Sequence, residues 1–348
     1  MLDLNAVVLT SSGESKDVQK YADALGEYSF LKESGGRIFV FLIDITDRVL
    51  HSELVPELIS APVCSSQPPV DNFINNEKNN IDVPLTKNHC LSLVRAINIR
   101  VITVEDAVLL KNVLPLVPAP RTIKICRLRK EEKAFDPLIE SAINGINFTD
   151  NLHSLDFFDE STAAKYAAFI SDSLQHSPNL RKLNLSIRLH GVSHLAENLH
   201  HVPQLTRLRL GDVQMGEKEC VALAASLKYL NKLEELNIHD NALGHGIIEL
   251  AKSLNNVPNL TELDMRNTNM GEDEASALAA SLKYLNKLEE LNIRDNALGH
   301  GIIELAKSLN NVPNLTKLDL RNTNMGEDEA SALAASLKYL NKLEKLNI

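Results

Sequence analysis

The stretches LEELNIHDNALG, residues 233–244, and LTELDMRNTNMG, residues 260–271, share one spacing, L-x-x-L-x-L-x-x-N/T-x-L. In the first, Leu236 and Ile238 stand two apart and face one side of an extended chain, while Glu235, Asn237 and His239 face the other. The period then changes. In GEDEASALAASLKYLNKL, residues 271–288, Ala275, Leu278, Leu282 and Leu285 form one apolar helical stripe. Glu272, Asp273 and Glu274 open that segment and Lys283 and Lys287 lie near its end, as the helix dipole favours. Ile247, Leu250, Leu254 and Val257 make the matching stripe in the other unit, and Pro258 stops the helix.

The same frame starts at Leu152, Leu180, Leu205, Leu233, Leu260, Leu288, Leu315 and Leu343, with gaps of 28, 25, 28, 27, 28, 27 and 28 residues. It fits more loosely at Val94 and Ile123. Two alternating units therefore make a 55-residue period. The seventeen letters ALAASLKYLNKLEELNI at 222–238 return at 277–293 and, with one change, at 332–348. A strand and helix this short cannot bury their apolar faces alone, but stacked copies cover one another. Strands lie about 4.8 Å apart and packed helices about 8–10 Å. The helix side is then the longer arc, and the strands line a concave face.

These strand and helix motifs, with their alternating 27- and 28-residue lengths, resemble leucine-rich repeats of the ribonuclease-inhibitor type. That group includes the ribonuclease inhibitors, the Ran GTPase-activating proteins and the C-terminal domains of NOD-like receptors. The resemblance is close over 152–348 and looser over 94–151. It implies an α/β horseshoe solenoid with a concave parallel sheet and convex helices. The ninth position departs from the pattern: Asn241 and Asn296 fit it, Thr268 and Thr323 alternate with them, and Val213 and Glu160 do not fit. The resemblance further implies a non-enzymatic, cytoplasmic recognition domain, most similar to the ligand-sensing end of a NOD-like receptor of innate immunity. One alternative is a GTPase-activating protein of the Ran type, though no catalytic side chain maps onto this sequence. Another is a ribonuclease-inhibitor-like enzyme inhibitor, against which the presence of only four cysteines speaks.

Residues 1–90 are expected to form an atypical N-terminal cap or degenerate repeats. They contain a helix over DVQKYADALGEYSFLK (17–32), a strand over RIFVFLIDI (37–45) and a Pro/Asn-rich loop at 60–90. The solenoid is expected over 91–348. Its last strand motif, 343–348, has no following helix, which predicts either further repeats or end-to-end self-association through an uncapped edge.

The net charge of −10 argues against a nucleic-acid partner. No apolar run approaches a membrane span. Cys64, Cys90, Cys126 and Cys220 fit no metal spacing and read as reduced thiols. SSGESK at 11–16 lacks the spacing of a phosphate loop, and no motif in the chain implies a cofactor. His245 and His300 recur in GHG and read as turn residues. His190 and His194 lie in a histidine-rich stretch without carboxylate or cysteine at ligand spacing.

Chemistry then concentrates on the outward strand positions. One column runs Lys182, Arg207, Glu235, Glu262, Glu290, Lys317, Lys345. The next runs Asn184, Arg209, Asn237, Asp264, Asn292, Asp319, Asn347. The third runs Ser186, Gly211, His239, Arg266, Arg294, Arg321. Two readings stand together: a lattice of cross-strand salt bridges, and a binding face for a protein ligand. The binding candidates are Arg207, Arg209, Glu235, His239, Glu262, Asp264, Arg266, Glu290, Arg294, Lys317 and Arg321. Residues 215–269 and 270–324 differ at six positions, and two of these, His239/Arg294 and Glu262/Lys317, are outward.

Overall fold

The computed structural model describes residues 4–11, 29–34, 37–45, 94–101, 121–127, 146, 148–159, 165–187 and 192–348. The chain divides into two compact units, Met1–Leu128 with Glu132–Asn147, and Arg129–Glu131 with Phe148–Ile348.

In the first unit, β1 (Leu4–Ser11) pairs antiparallel with β3 (Arg37–Ile45), which pairs antiparallel with β2 (Ser29–Ser34). On its other side β1 runs parallel to β4 (Val94–Val101), and β4 parallel to β5 (Thr122–Arg127). The helix expected over 17–32 is corrected at its end. Ser29–Ser34 is strand, and its register with β3 brings Ser34 opposite Arg37, so Gly35-Gly36 is the hairpin signal that the helical reading overlooked. Residues 17–28, the stretch 60–90 and His190 lie outside the described residues.

The second unit is the repeat. Its strands are β6 (Ser154–Asp159), β7 (Lys182–Ile187), β8 (Arg207–Arg209), β9 (Glu235–Asn237), β10 (Glu262–Asp264), β11 (Glu290–Asn292), β12 (Lys317–Asp319) and β13 (Lys345–Asn347). Each runs parallel to its sequence neighbour in one open sheet. Between them lie α1 (Lys165–Ser173), α2 (Val192–Asn198), α3 (Glu217–Ser226), α4 (Gly246–Ser253), α5 (Glu272–Ser281), α6 (Gly301–Ser308) and α7 (Glu327–Ser336). Each helix tightens into one 3₁₀ turn before the next strand. The expected stripes are the core: Ile247, Leu250, Leu254, Val257, Ala275, Leu278, Leu282 and Leu285 are fully buried. The fold is a leucine-rich-repeat solenoid.

Successive helices come very close at Gly246 and Gly301. A Cβ at Gly301 would sit 2.6 Å from Ala275 Cβ and 2.7 Å from the Glu272 carbonyl oxygen. At Gly246 the facing atoms are the Glu217 carbonyl oxygen at 2.6 Å and Cβ of Cys220 at 2.8 Å. That thiol is buried, and burial together with Glu217 pushes its pKa up to about 12, so it acts as a small apolar residue.

The alternation of Asn and Thr has a physical basis. Asn241 and Asn296 are buried and hold two units at once. The Asn296 amide donates to the carbonyls of Met265 (2.9 Å), Ile293 (2.9 Å) and Arg294 (3.2 Å). Its oxygen accepts from the backbone N–H groups of Thr268 (2.9 Å) and Met270 (3.0 Å). Thr268 Oγ1 bonds only its own Met265 carbonyl (2.8 Å) and Asn296. Across the other interface, the backbone N–H of Leu243 reaches the Thr268 carbonyl (3.1 Å).

A second inter-unit contact uses the histidines of GHG. His245 Nδ1 lies 2.5 Å from Glu274 Oε1, and His300 Nδ1 lies 2.5 Å from Glu329 Oε1. Each glutamate is buried, and its other oxygen accepts the backbone N–H that opens its own helix, from Gly271 or Gly326 (2.8 Å each). The partner carboxylate raises both histidine pKa values, helped by Glu217 and Asp273 at His245 and by Glu272 and Asp328 at His300. Burial raises the Glu274 pKa, but the His245 and backbone hydrogen bonds outweigh it and the net shift is downward. Glu329 is lowered by its backbone hydrogen bonds and by His300.

Two outcomes follow from this packing. Leu263→Ala is expected to cost about 2–5 kcal/mol in denaturant melts, and Asn296→Ala at least about 2 kcal/mol, because several buried backbone groups lose a partner. For the histidine contact the sign follows from the pKa directions. The raised histidines contribute stability that is complete below their ordinary 6.5 and fades as pH rises through the higher folded value. The lowered glutamates contribute stability that fades only at acid pH, below their ordinary 4.5. Melting temperature therefore falls from about pH 6 into mildly alkaline buffer, and H245Q/H300Q removes that slope and weakens the acid limb to the part held by the backbone hydrogen bonds.

Candidate functional site

The strand pairing aligns the outward columns in the order the sequence implies. Lys182, Arg207, Glu235, Glu262, Glu290, Lys317 and Lys345 are each opposite the next, and Asn184, Arg209, Asn237, Asp264, Asn292, Asp319 and Asn347 form the parallel row. Three-residue strands bring these side chains together because each strand contributes two outward positions around one buried leucine. The third row continues beyond the strand ends, where Asp212, Asp240, Asn267 and Asp295 donate backbone N–H groups to the carbonyls of His239, Arg266, Arg294 and Arg321. These donors adopt positive φ, from 51° to 58°, a conformation Asn and Asp tolerate better than most residues.

Most charges on the face are paired. Glu235 accepts from Arg209 and lies 3.6 Å from Arg207 Nε. The two arginines cover it, so Glu235 is only 5% exposed despite its outward position. The hydrogen bond it donates to Glu235 raises the Arg209 pKa further. Lys317 donates to Glu290. Arg266 bonds Asp264 (3.2 Å), Arg321 bonds Asp319 (2.6 Å), and Arg294 lies 3.4 Å from Asp295. Burial raises the Asp319 pKa, but the bonds from Arg321 and Asn347 bring it below its ordinary value. The His239 ring lies over Gly211, where a Cβ would fall 2.2 Å from the ring, so only glycine leaves room for it. Burial, then Arg266, lowers the His239 pKa, which favours the neutral ring.

Glu262 is the unpaired carboxylate of the face. It stands between Glu235 and Glu290, exposed, and its side chain makes no ion pair or hydrogen bond among the described residues. Burial raises its pKa first, followed by the two flanking carboxylates. The arrangement has nothing to activate a nucleophile; what it offers is fixed charge of both signs on a rigid sheet. His194 lies apart from this face, bonded to Asp172 at 2.6 Å.

This geometry is that of a leucine-rich-repeat solenoid, and the chain is similar in sequence to NLR proteins and a ribonuclease inhibitor. The chain is similar to NLR family CARD domain-containing protein 4 of Mus musculus, with 27% identity over 205 residues, covering 47% of this chain and 20% of that protein. It is 26% identical to the ribonuclease inhibitor of Sus scrofa over 172 residues, 48% of this chain and 38% of that one. It is 36% identical to the Tonsoku-like protein of Bos taurus over 115 residues, 32% of this chain and 8% of that one. The matches thus span well under half of each relative's length. No family model matches the chain.

The burial of Glu274 and Glu329 escaped the sequence reading, which placed Glu274 only among the acids that open a helix; its recurrence three residues after a glycine was the available signal. Replacing the unpaired carboxylate tests the electrostatics of the face. Glu262→Gln is expected to raise stability by under about 1 kcal/mol. The gain disappears at acid pH, because the raised pKa makes the wild-type residue neutral there first. An E262Q variant that melts lower than wild type at neutral pH contradicts this account of the column.

Proposed function

We propose that residues 91–348 act as a non-enzymatic recognition domain whose concave strand face binds a protein ligand, in the manner of the ligand-sensing region of a NOD-like receptor, in the cytoplasm. The observation that carries this reading is the outward sheet face itself: charged side chains in aligned rows, and no element laid over them among the described residues. Similarity to an NLR protein and to a ribonuclease inhibitor supports a binding role. No helix among the described residues is long and apolar enough to cross a membrane.

The ligand is expected to engage Arg207, Arg209, Glu235, His239, Glu262, Asp264, Arg266, Glu290, Arg294, Lys317 and Arg321. Most of these are held by ion pairs within the face, so a ligand meets preformed charges and orders few side chains on binding. A photo-crosslinking residue at position 292 is expected to trap a discrete protein from lysate. R266E/R294E is expected to abolish that crosslink and its salt dependence while the melting temperature stays within about 2 °C. A crosslink unaffected by the double reversal places recognition elsewhere. Acceleration of GTP hydrolysis on addition of the purified chain overturns the non-enzymatic reading.

A further inference from the structure

The edge of the repeat where each helix hands over to the next strand carries a feature that the strand face does not absorb. In every second unit this connection reads LKYLNKL, at 227–233, 282–288 and 337–343. The intervening units read LNNVPNL, at 254–260 and 309–315. Tyr229, Tyr284 and Tyr339 are 41–45% exposed, and they are three of the five large exposed hydrophobics among the described residues. Each carries a lysine ammonium over its ring: Lys228, Lys283 and Lys338, at 4.9, 5.0 and 4.9 Å from the centroid. Three residues after each tyrosine stands a second exposed lysine that bonds only a neutral side chain of the preceding unit. Lys232 donates to Gln204 (2.5 Å), Lys287 to Asn259 (2.7 Å) and Lys342 to Asn314 (2.7 Å).

These six lysines have no carboxylate partner among the described residues, nor do Lys182, Lys218 and Lys345, whereas Lys252, Lys307, Lys317 and the arginines of the strand face do; only the six recur beside an exposed ring in every second unit. Glu234, Glu289 and Glu344, each one residue before the next strand, make no ion pair with them. In a chain of net charge −10, a row of uncompensated cations, half of them on exposed aromatic rings, is a place where an anion is favoured.

We infer that this lysine–tyrosine edge binds an extended acidic segment of a partner protein. Two units advance about 10 Å along the sheet and about 16–20 Å along the helices. At about 3.3–3.6 Å per residue, an extended chain covers the interval between successive lysine–tyrosine pairs in roughly three to six residues. One face of each ring, on which a nucleobase would stack, is already taken by an ammonium group, which favours carboxylates over a nucleic acid.

The test measures binding of a fluorescein-labelled polyglutamate peptide of about twelve residues to the full chain by fluorescence anisotropy. Binding is expected at low salt, to weaken as salt rises, and to fall at least about tenfold in K228E/K283E/K338E. The triple glutamine variant, which adds no repulsion, is expected to show a smaller loss in the same direction. R266E/R294E is expected to leave peptide binding unchanged, so failure of this edge and failure of the strand-face reading are distinguishable. Unchanged affinity in both triple variants overturns the proposal. So does equal or tighter binding of labelled oligothymidylate, which would make the edge a nucleic-acid surface. Salt-sensitive self-association in sedimentation, lost in the triple variants, overturns it in favour of a second copy of this chain.

Discussion

Each unit of this protein depends on its neighbours for burial. A three-residue strand and a helix of seven to ten residues cannot exclude water from their own leucines. Leu236, Leu250 and Leu263 are dry because the units on either side close over them. Everything else in the second unit is arranged to permit that contact. Gly246 and Gly301 let successive helices approach, and the residues that face them, Cys220 and Ala275, are small. The polar groups trapped by the close approach are then satisfied from across the interface by Asn241 and Asn296.

The same contact explains where charge is buried and where it is displayed. Glu274 and Glu329 are drawn inside because each serves two units, opening its own helix and holding the histidine of the unit before. On the strand side the units are too close for like charges to ignore one another. Glu235 is covered by two arginines, Glu290 takes Lys317, and Glu262 is left between them. The face is therefore stiff and electrically patterned, with most of its ions already held in place.

Much of this was legible in the sequence because the repeat makes the chain its own comparison. The 55-residue period located every strand from Leu152 onward, and the two-residue alternation assigned the outward columns in register. Three things were not legible. A buried glutamate looks like an exposed one when its partner is a histidine 29 residues away. The exchange of Asn for Thr looks like decay of the motif until the hydrogen bonds show one asparagine serving two units. The strand at Ser29–Ser34 was hidden by a helical pattern that ran into it, and the double glycine that follows was the stronger signal.

Because Asn-type and Thr-type units interlock in alternation, the array has a parity. Each asparagine reaches back to a unit that lacks one, and each GHG histidine reaches forward to a unit whose helix opens with Gly and a third-position Glu. Losing or gaining a single unit would set two Thr units side by side, leaving backbone groups without their asparagine, or two GHG units side by side, leaving a histidine without its glutamate. Losing or gaining a pair restores every contact. Recombination between near-identical 55-residue blocks removes or inserts whole pairs, so the array can change length while each interface stays the same. Its reach, and with it the span of surface it presents, can vary in quantised steps without any redesign of its interior.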